Sequence, residues 1–302
     1  MRELPFELVN VFAIPGVPWT GNALAVFTAC AGLDEETMRA IARQMNLAEV
    51  TFVEPASEPQ VPANVRIFTT SVEMPFAGHP TLGTAHVVHA MQGGLGNDVA
   101  LKMKAGLVMV SRLGQSEGQS DGQSEWQLRT AKTASGSPLQ TGKHGIARVL
   151  GLTLSEIQDE PMWVNTGTEQ LIVPLRDAEA VRRVRIDPVA MGELAYSEVA
   201  GEAVVYVIGP REDGQLEARF FTLTGGSVLE DPATGSACAN YGGYLALRGL
   251  RAPVDALVHQ GSHVGRPSRL GLRVLGANEI FVQGIVSEVG RGVLRYEESR
   301  RR

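Results

Sequence analysis

Two turns of one kind stand half a chain apart: Met74-Pro75-Phe76-Ala77-Gly78-His79 and Asp231-Pro232-Ala233-Thr234-Gly235-Ser236, with Pro75 and Pro232 separated by 157 residues. Each is a P-x-x-G followed by a polar residue and a run of helical character. Repetition at half the length of a 302-residue chain predicts two related halves, each presenting a turn and a helix N-terminus. Gly lets the backbone approach a ligand closely, and the free N–H groups of the helix behind it point toward negative charge. Two such ends facing each other would make a carboxylate-sized clamp. His79 and Asp231 flank these turns, in position to exchange protons with whatever the clamp holds. One P-x-x-G alone is common turn chemistry; the duplication gives the pair its meaning.

The length suits two domains of ordinary size and a large core. A 44% hydrophobic and 20% charged composition fits a soluble globular protein, and a net charge of −6 with mixed signs leaves no footprint for nucleic acid. The only basic run, Arg300-Arg301-Arg302, reads as a solvated terminus. Cys30 and Cys238 lie far apart with no C-x-x-C, against a disulfide framework or a structural zinc site, and favour a reducing compartment. Met1-Arg2-Glu3-Leu4-Pro5 lacks the apolar core of a signal peptide, and no run nears the ~18 apolar residues of a membrane span. The expectation is a cytoplasmic protein with no membrane partner.

Along the chain, residues 7–12 and 23–28 read as an antiparallel strand pair around a Pro/Gly loop. Asp34 as N-cap, Glu35 and Glu36 in the first turn, and Met38, Ile41, Ala42 and Met45 at helical spacing predict an amphipathic helix ending at Asn46. Strands are expected at 49–54, 65–69, 99–112 and 126–132, with a helix over 79–91. The Gly-Gln-Ser repeat of residues 114–125 is too polar to pack and reads as a mobile hairpin tip with no catalytic role. The second half repeats the scheme: a helix over 142–150, another opened by the capping box Thr153-Leu-Ser-Glu156, strands at 162–174, 203–208 and 217–223, and a helix over 235–248 ended by Gly249. Strands at 271–275, 279–288 and 292–297 close the chain.

Gly83, Thr84 and Ala85 in one post-turn helix, and Ala237, Cys238, Ala239, Gly242 and Gly243 in the other, let backbone pack closely around them. The predicted fold class is α+β: two pseudo-symmetric lobes, 1–132 and 133–302, each a bent, mostly antiparallel sheet wrapped around a central helix, with the site between them. The strands after about 279 are left free to pair back onto the first lobe.

Glu49 opens a strand among apolar neighbours, where a carboxyl can have its pKa raised toward neutrality, as a proton shuttle requires. A Glu in that place is also commonly a solvated edge charge. Asn46-Leu47-Ala48-Glu49-Val50-Thr51-Phe52, Glu73 to Ala85 and Glu230 to Ala237 closely resemble the three signature motifs of the phenazine biosynthesis PhzF-like isomerases. Val9 to Phe27 with Gly21-Asn22, Thr166-Gly167 before Val173-Pro174-Leu175, and Gln260-Gly261 before Gly265-Arg266-Pro267-Ser268 extend the resemblance in order over nearly the whole chain.

The resemblance implies a diaminopimelate-epimerase-like fold, a homodimer, and proton transfer without a cofactor or metal in a cleft between the lobes. It makes Glu49 the shuttling general acid/base, with His79 and Asp231 as supporting proton donors or substrate anchors. Gly78, Gly235 and Ser236 would bind the carboxylate of a small cyclic or unsaturated acid. Two departures, Gly21-Asn22-Ala23 where the family usually has Gly-Asn-Pro and the Gly-Gln-Ser segment, leave that chemistry untouched, and the specific substrate does not transfer with the motifs.

Two other readings stay open. An amino-acid epimerase or racemase would need an acid/base Cys at each turn; the first turn has none, and Cys238 falls inside the second helix as a small core residue. A non-catalytic small-carboxylate binding protein would use Glu49 only as polar lining. Gly78 to Thr84 has P-loop glycine spacing but no Lys before Thr84, against a nucleotide site. His86 and His89 read as packed or surface side chains, and His259 and His263 as loop residues rather than metal ligands.

Overall fold

Each turn-bearing helix is buried on nearly every side, and the strands around it are laid out in the same order in both halves. The computed structural model describes residues 1–55, 63–114, 118, 122–249 and 252–297. The chain divides into two compact units, Met1–Leu128 with Gly284–Arg302, and Arg129–Gln283.

In the first unit, β1 (Arg2–Ala13) runs antiparallel to β2 (Asn22–Phe27). Helix α1 (Glu35–Met45) follows, with Asp34 accepting from the Thr37 N–H and Asn46 closing it in the left-handed conformation. Its apolar stripe, Met38, Ile41 and Ala42, joins Leu4, Ala25, Phe27, Val50, Phe52 and Phe68 in one cluster. The crossover returns β3 (Glu49–Pro55) parallel to β2, with Glu49 opposite Leu24. Then β4 (Ala63–Phe68) pairs antiparallel with β3 and with the short β5 (Glu73–Met74), which leads into α2 (Gly78–Met91). After α2, β6 (Asp98–Met103) returns parallel to β4, and β7 (Gly106–Arg112) and β8 (Gln123–Arg129) continue antiparallel.

The second unit opens with β9 (Ser135–Pro138) and α3 (Gly142–Leu150), then repeats the order. Strands β10 (Met162–Asn165) and β11 (Glu169–Pro174) form the hairpin. Helices α4 (Ala178–Arg183) and α5 (Pro188–Leu194) and the two-residue β12 (Tyr196–Ser197) replace α1. Strand β13 (Glu202–Pro210) lies parallel to β11, and β14 (Leu216–Thr224) and β15 (Ser227–Asp231) follow antiparallel. Helix α6 (Gly235–Leu247) precedes β16 (Val254–Gln260), parallel to β14, then β17 (Ser268–Gly276) and β18 (Glu279–Tyr296). From Gly284 on, β18 belongs to the first unit, where it pairs with β1.

The central helices need small residues because strands crowd them. A methyl group at Gly83 would come within 2.6 Å of Leu24 Cδ2 and 2.9 Å of Val11 Cγ2; at Gly242 it would meet Ile280 Cγ2 at 2.9 Å. No helix among the described residues is long and apolar enough to cross a membrane.

Several elements differ from the sequence-based expectation. The capping box is formed, with Thr153 N donating to Glu156 Oε2 at 2.8 Å, but it opens only a three-residue 3₁₀ turn, because Ile157 pairs at once with Leu175. Residues 99–112 and 162–174 are hairpins rather than single strands, and 279–296 is one strand rather than two. His259 is not a loop residue: it lies in β16 opposite Arg269, and its Nε2 bonds to Gln215. Half of the Gly-Gln-Ser segment and all of the arginine tail lie outside the described residues, while the end of that segment is packed rather than loose: Gln123 to Glu125 open β8, with Gln123 buried.

Candidate active site

Parallel pairing against Leu24 places Glu49 at the opening of β3. His79 is the second residue of α2, whose N-cap, Ala77, offers no side-chain bond to the helix start. The two side chains meet, with His79 Nε2 3.5 Å from Glu49 Oε2; His79 is 6% and Glu49 18% exposed. Burial pushes the imidazole down to about 3, against which a hydrogen bond to the Ala23 backbone works only weakly. His79 is therefore neutral at physiological pH. Its Nε2 makes no hydrogen bond, so the Ala23 bond falls to the other ring nitrogen and the Nε2 edge is turned to Glu49. A carboxylate beside a neutral imidazole, in a site that resists charging the ring, can hold and pass on one proton.

The second turn is built differently. Asp231 ends β15 opposite Phe220, and Thr234 Oγ1 donates to its Oδ2. Gln260 clasps the turn from β16: its Nε2 donates to Asp231 O at 2.9 Å and Thr234 Oγ1 at 3.0 Å, and its Oε1 accepts from Thr234 N at 3.3 Å. Thr234, the N-cap of α6, makes no side-chain bond to the helix start, so the Gly235 end carries the unsatisfied N–H groups common to helix starts. Ser236 Oγ accepts from Gln170 Nε2 at 3.0 Å. Gln170 is held in turn by wholly buried Asn240, which donates to its Oε1 at 2.8 Å while accepting from Thr166 N and Oγ1. Thus Glu49, His79 and Gly78 gather in the first unit, and Asp231, Gly235 and Ser236 in the second.

Each turn is also fastened by an arginine that motif reading alone does not pick out. Arg66 grips Glu73 through two bonds, Nε–Oε1 2.8 Å and Nη2–Oε2 2.9 Å, and lies 5.1 Å from the Phe68 ring centroid. Arg219 grips Glu230 the same way, Nε–Oε1 3.0 Å and Nη2–Oε2 2.7 Å, with Phe221 at 4.7 Å. The Arg66 guanidinium holds the Glu73 carboxyl below its usual range. Glu73 and Glu230 each stand five residues before the helix glycine, so superposing the two turns exposes the two glutamates in the sequence, though not their arginines.

Cys238 is fully buried inside α6, its thiol pushed up to about 12 by burial, which makes it unfit as an acid/base thiolate. His86 and His89 are buried packing residues. Trp126 Nε1 donates to His86 Nδ1 at 3.3 Å, and His89 Nε2 lies 3.0 Å from Gly96 O. Among the described residues no group of three or more His, Cys, Asp or Glu side chains could hold a metal ion.

Fold and site together define a class, a two-unit α+β protein with a glutamate–imidazole pair sequestered at the start of one central helix. Residues 9–288 match the family model described as phenazine biosynthesis-like protein, and the chain belongs to that family. It is 36% identical over 289 residues to an uncharacterized isomerase of Pasteurella multocida, covering 96% of this chain and 93% of the relative. It is 32% identical over 285 residues to the trans-2,3-dihydro-3-hydroxyanthranilate isomerase of Pseudomonas aeruginosa, covering 91% of each. A phenazine biosynthesis protein of the PhzF family from Bacillus anthracis superposes with a TM-score of 0.81 over 98% of this chain and all of that one; at 20% identity, it speaks for the fold alone. The chain is an isomerase with the diaminopimelate-epimerase-like fold that the motifs imply.

Proposed function

We propose that this isomerase shifts a proton between carbons of a small cyclic or unsaturated carboxylic acid, with Glu49 as the group that takes the proton and returns it. The observation that carries the reading is the 3.5 Å approach of Glu49 to a buried, neutral His79. The Glu49 carboxylate removes a proton from one carbon, the C–H electron pair moves into the adjoining π system, and the same carboxyl delivers the proton to a second carbon. Substrate carbon skeleton and enzyme both end with the atoms they began with, so the step needs no redox partner. His79 holds the carboxyl in place and shares its proton. Asp231 serves as a second anchor or donor, and the N–H groups at Gly78 and Gly235, with the Ser236 hydroxyl, take the substrate carboxylate. A cytoplasmic homodimer completes the reading.

The test is deuterium uptake from D2O, followed by NMR, into a panel of small carboxylic acids that includes trans-2,3-dihydro-3-hydroxyanthranilate. The enzyme is dialysed against a chelator and run as wild type and Asp231→Asn. Uptake by wild type, weakened in Asp231→Asn, supports the assignment. Tight binding of a panel member with no uptake moves the protein to the binding-only reading.

A further inference from the structure

The two units repeat their strand register closely enough to be compared position by position. Ile67 pairs with Thr51 and with Met74, four residues before Gly78. Phe220 pairs with Tyr206 and with Asp231, four residues before Gly235. Thr51 and Tyr206 are therefore counterparts, and so are Thr84 and Tyr241, each six residues past its helix glycine. In the first unit these positions are bonded: Thr84 Oγ1 on α2 donates to Thr51 Oγ1 on β3 at 2.9 Å, both side chains being fully buried. In the second, the fully buried Tyr206 hydroxyl has no hydrogen-bond partner. The fold thus does without a polar rung at this place in one unit, and keeps one in the unit that carries Glu49 and His79.

The rung sits beside the proton-transfer pair. Thr51 is two residues beyond Glu49 on the same face of β3, a step of about 6.8 Å. Thr84 is five residues beyond His79 on α2, a step of about 7.5 Å. The two steps nearly match, so the Thr51–Thr84 bond and the Glu49–His79 contact bridge the same strand and helix at adjacent levels. We propose that Thr51 and Thr84 are positioning residues, whose hydroxyl bond fixes the register of α2 against β3 and so sets the Glu49–His79 geometry. The inference rests on the reading of that pair as the proton-transfer machinery. Hydrophobic packing alone tolerates small slides of a helix over a strand, whereas a buried hydrogen bond has a narrow range of lengths and angles. A misplacement of about 1 Å at the reacting groups is enough to cost on the order of 10²-fold in rate.

The test replaces both hydroxyls by methyls of the same shape, Thr51→Val with Thr84→Val, which leaves no stranded donor and is nearly neutral for stability. Thr84→Ser keeps the donor, and Glu49→Gln runs alongside. Readouts are the thermal midpoint, the crystallographic Glu49–His79 separation, and kcat and KM for deuterium uptake into trans-2,3-dihydro-3-hydroxyanthranilate. The expected result is a double variant as stable as wild type, with KM unchanged, kcat lowered about tenfold to a hundredfold, and the Glu49–His79 contact displaced or split between arrangements. Thr84→Ser should stay near wild type. A double variant that keeps the contact in one arrangement overturns the proposal, as does one that keeps wild-type kcat while Glu49→Gln is inactive. Wild-type uptake by Glu49→Gln instead removes the catalytic reading of Glu49 itself. If this acid is not turned over, the crystallographic readout decides.

Discussion

Set side by side, the two units share what holds a turn in place and differ in what stands at its reactive edge. Both have an arginine that grips a glutamate five residues before the helix glycine and lies against a phenylalanine two residues along its own strand. Both start the central helix without a side-chain cap. The register that matches Thr51 with Tyr206 also places Val204 where the first unit has Glu49, and Ser236 stands where it has His79. What recurs belongs to the architecture of the turn; what does not recur marks the chemistry. Under the proposed function the first unit would carry the proton and the second would provide the anchor.

The arginine clamps break the comparison most forcefully. Arg219 and Glu230 are 8% and 11% exposed, and Arg219 Nη1 also points to the Val181, Arg182 and Val184 carbonyls at the end of α4. Arg219→Ala should strand a buried carboxylate and cost about 3–5 kcal/mol. Arg66 is 29% exposed, and Glu73 keeps Lys104 at 3.6 Å, so Arg66→Ala should cost about 1 kcal/mol. Denaturant midpoints measure both; equal losses would mean that the second clamp is no more sequestered than the first.

A smaller effect separates His79 from its counterpart Ser236. Burial lowers His79 from 6.5 to about 3, so between those values the unfolded chain binds a proton that the folded chain refuses. This contribution to stability is intact above 6.5 and is lost as pH falls toward 3, amounting to about 2 kcal/mol by pH 5. Denaturant unfolding at pH 7 and pH 5 should show the drop, and His79→Gln should shrink it by about that amount. An unchanged drop would place the acid sensitivity elsewhere.

The smallest effect sharpens the contrast at the rung. Tyr206→Phe deletes a buried hydroxyl that bonds to nothing. It should leave activity unchanged and raise stability by no more than about 1 kcal/mol, read as a thermal midpoint equal to or above wild type. A clear loss would show that the second unit also depends on a polar contact there.

Much of this was legible in the sequence because local signals agreed. Asp34, the first-turn acids and Asn46 bound α1 to within a residue, and the paired turns with their small-residue runs located both central helices. Helices α4 and α5, at six and seven residues, are too short to show a periodic stripe, although Asp177 and Asp187 cap them. Gly290 and Gly292 look like breaks within the long β18, while pairing with β1 carries the strand through them. Glu49 and His79 were reachable from motifs. The arginine clamps were not, since Arg66 and Glu73 are seven residues apart and Arg219 and Glu230 eleven, and only strand register brings them together.

If the unit with Glu49 moves the proton, deuterium uptake from D2O by wild type and Glu49→Gln, on the same carboxylic acid at equal enzyme concentration, reads it out. The Glu49→Gln protein should fold and still bind the acid but exchange its carbon-bound hydrogen slower by about 10²- to 10⁴-fold. Exchange at the wild-type rate in Glu49→Gln would contradict it.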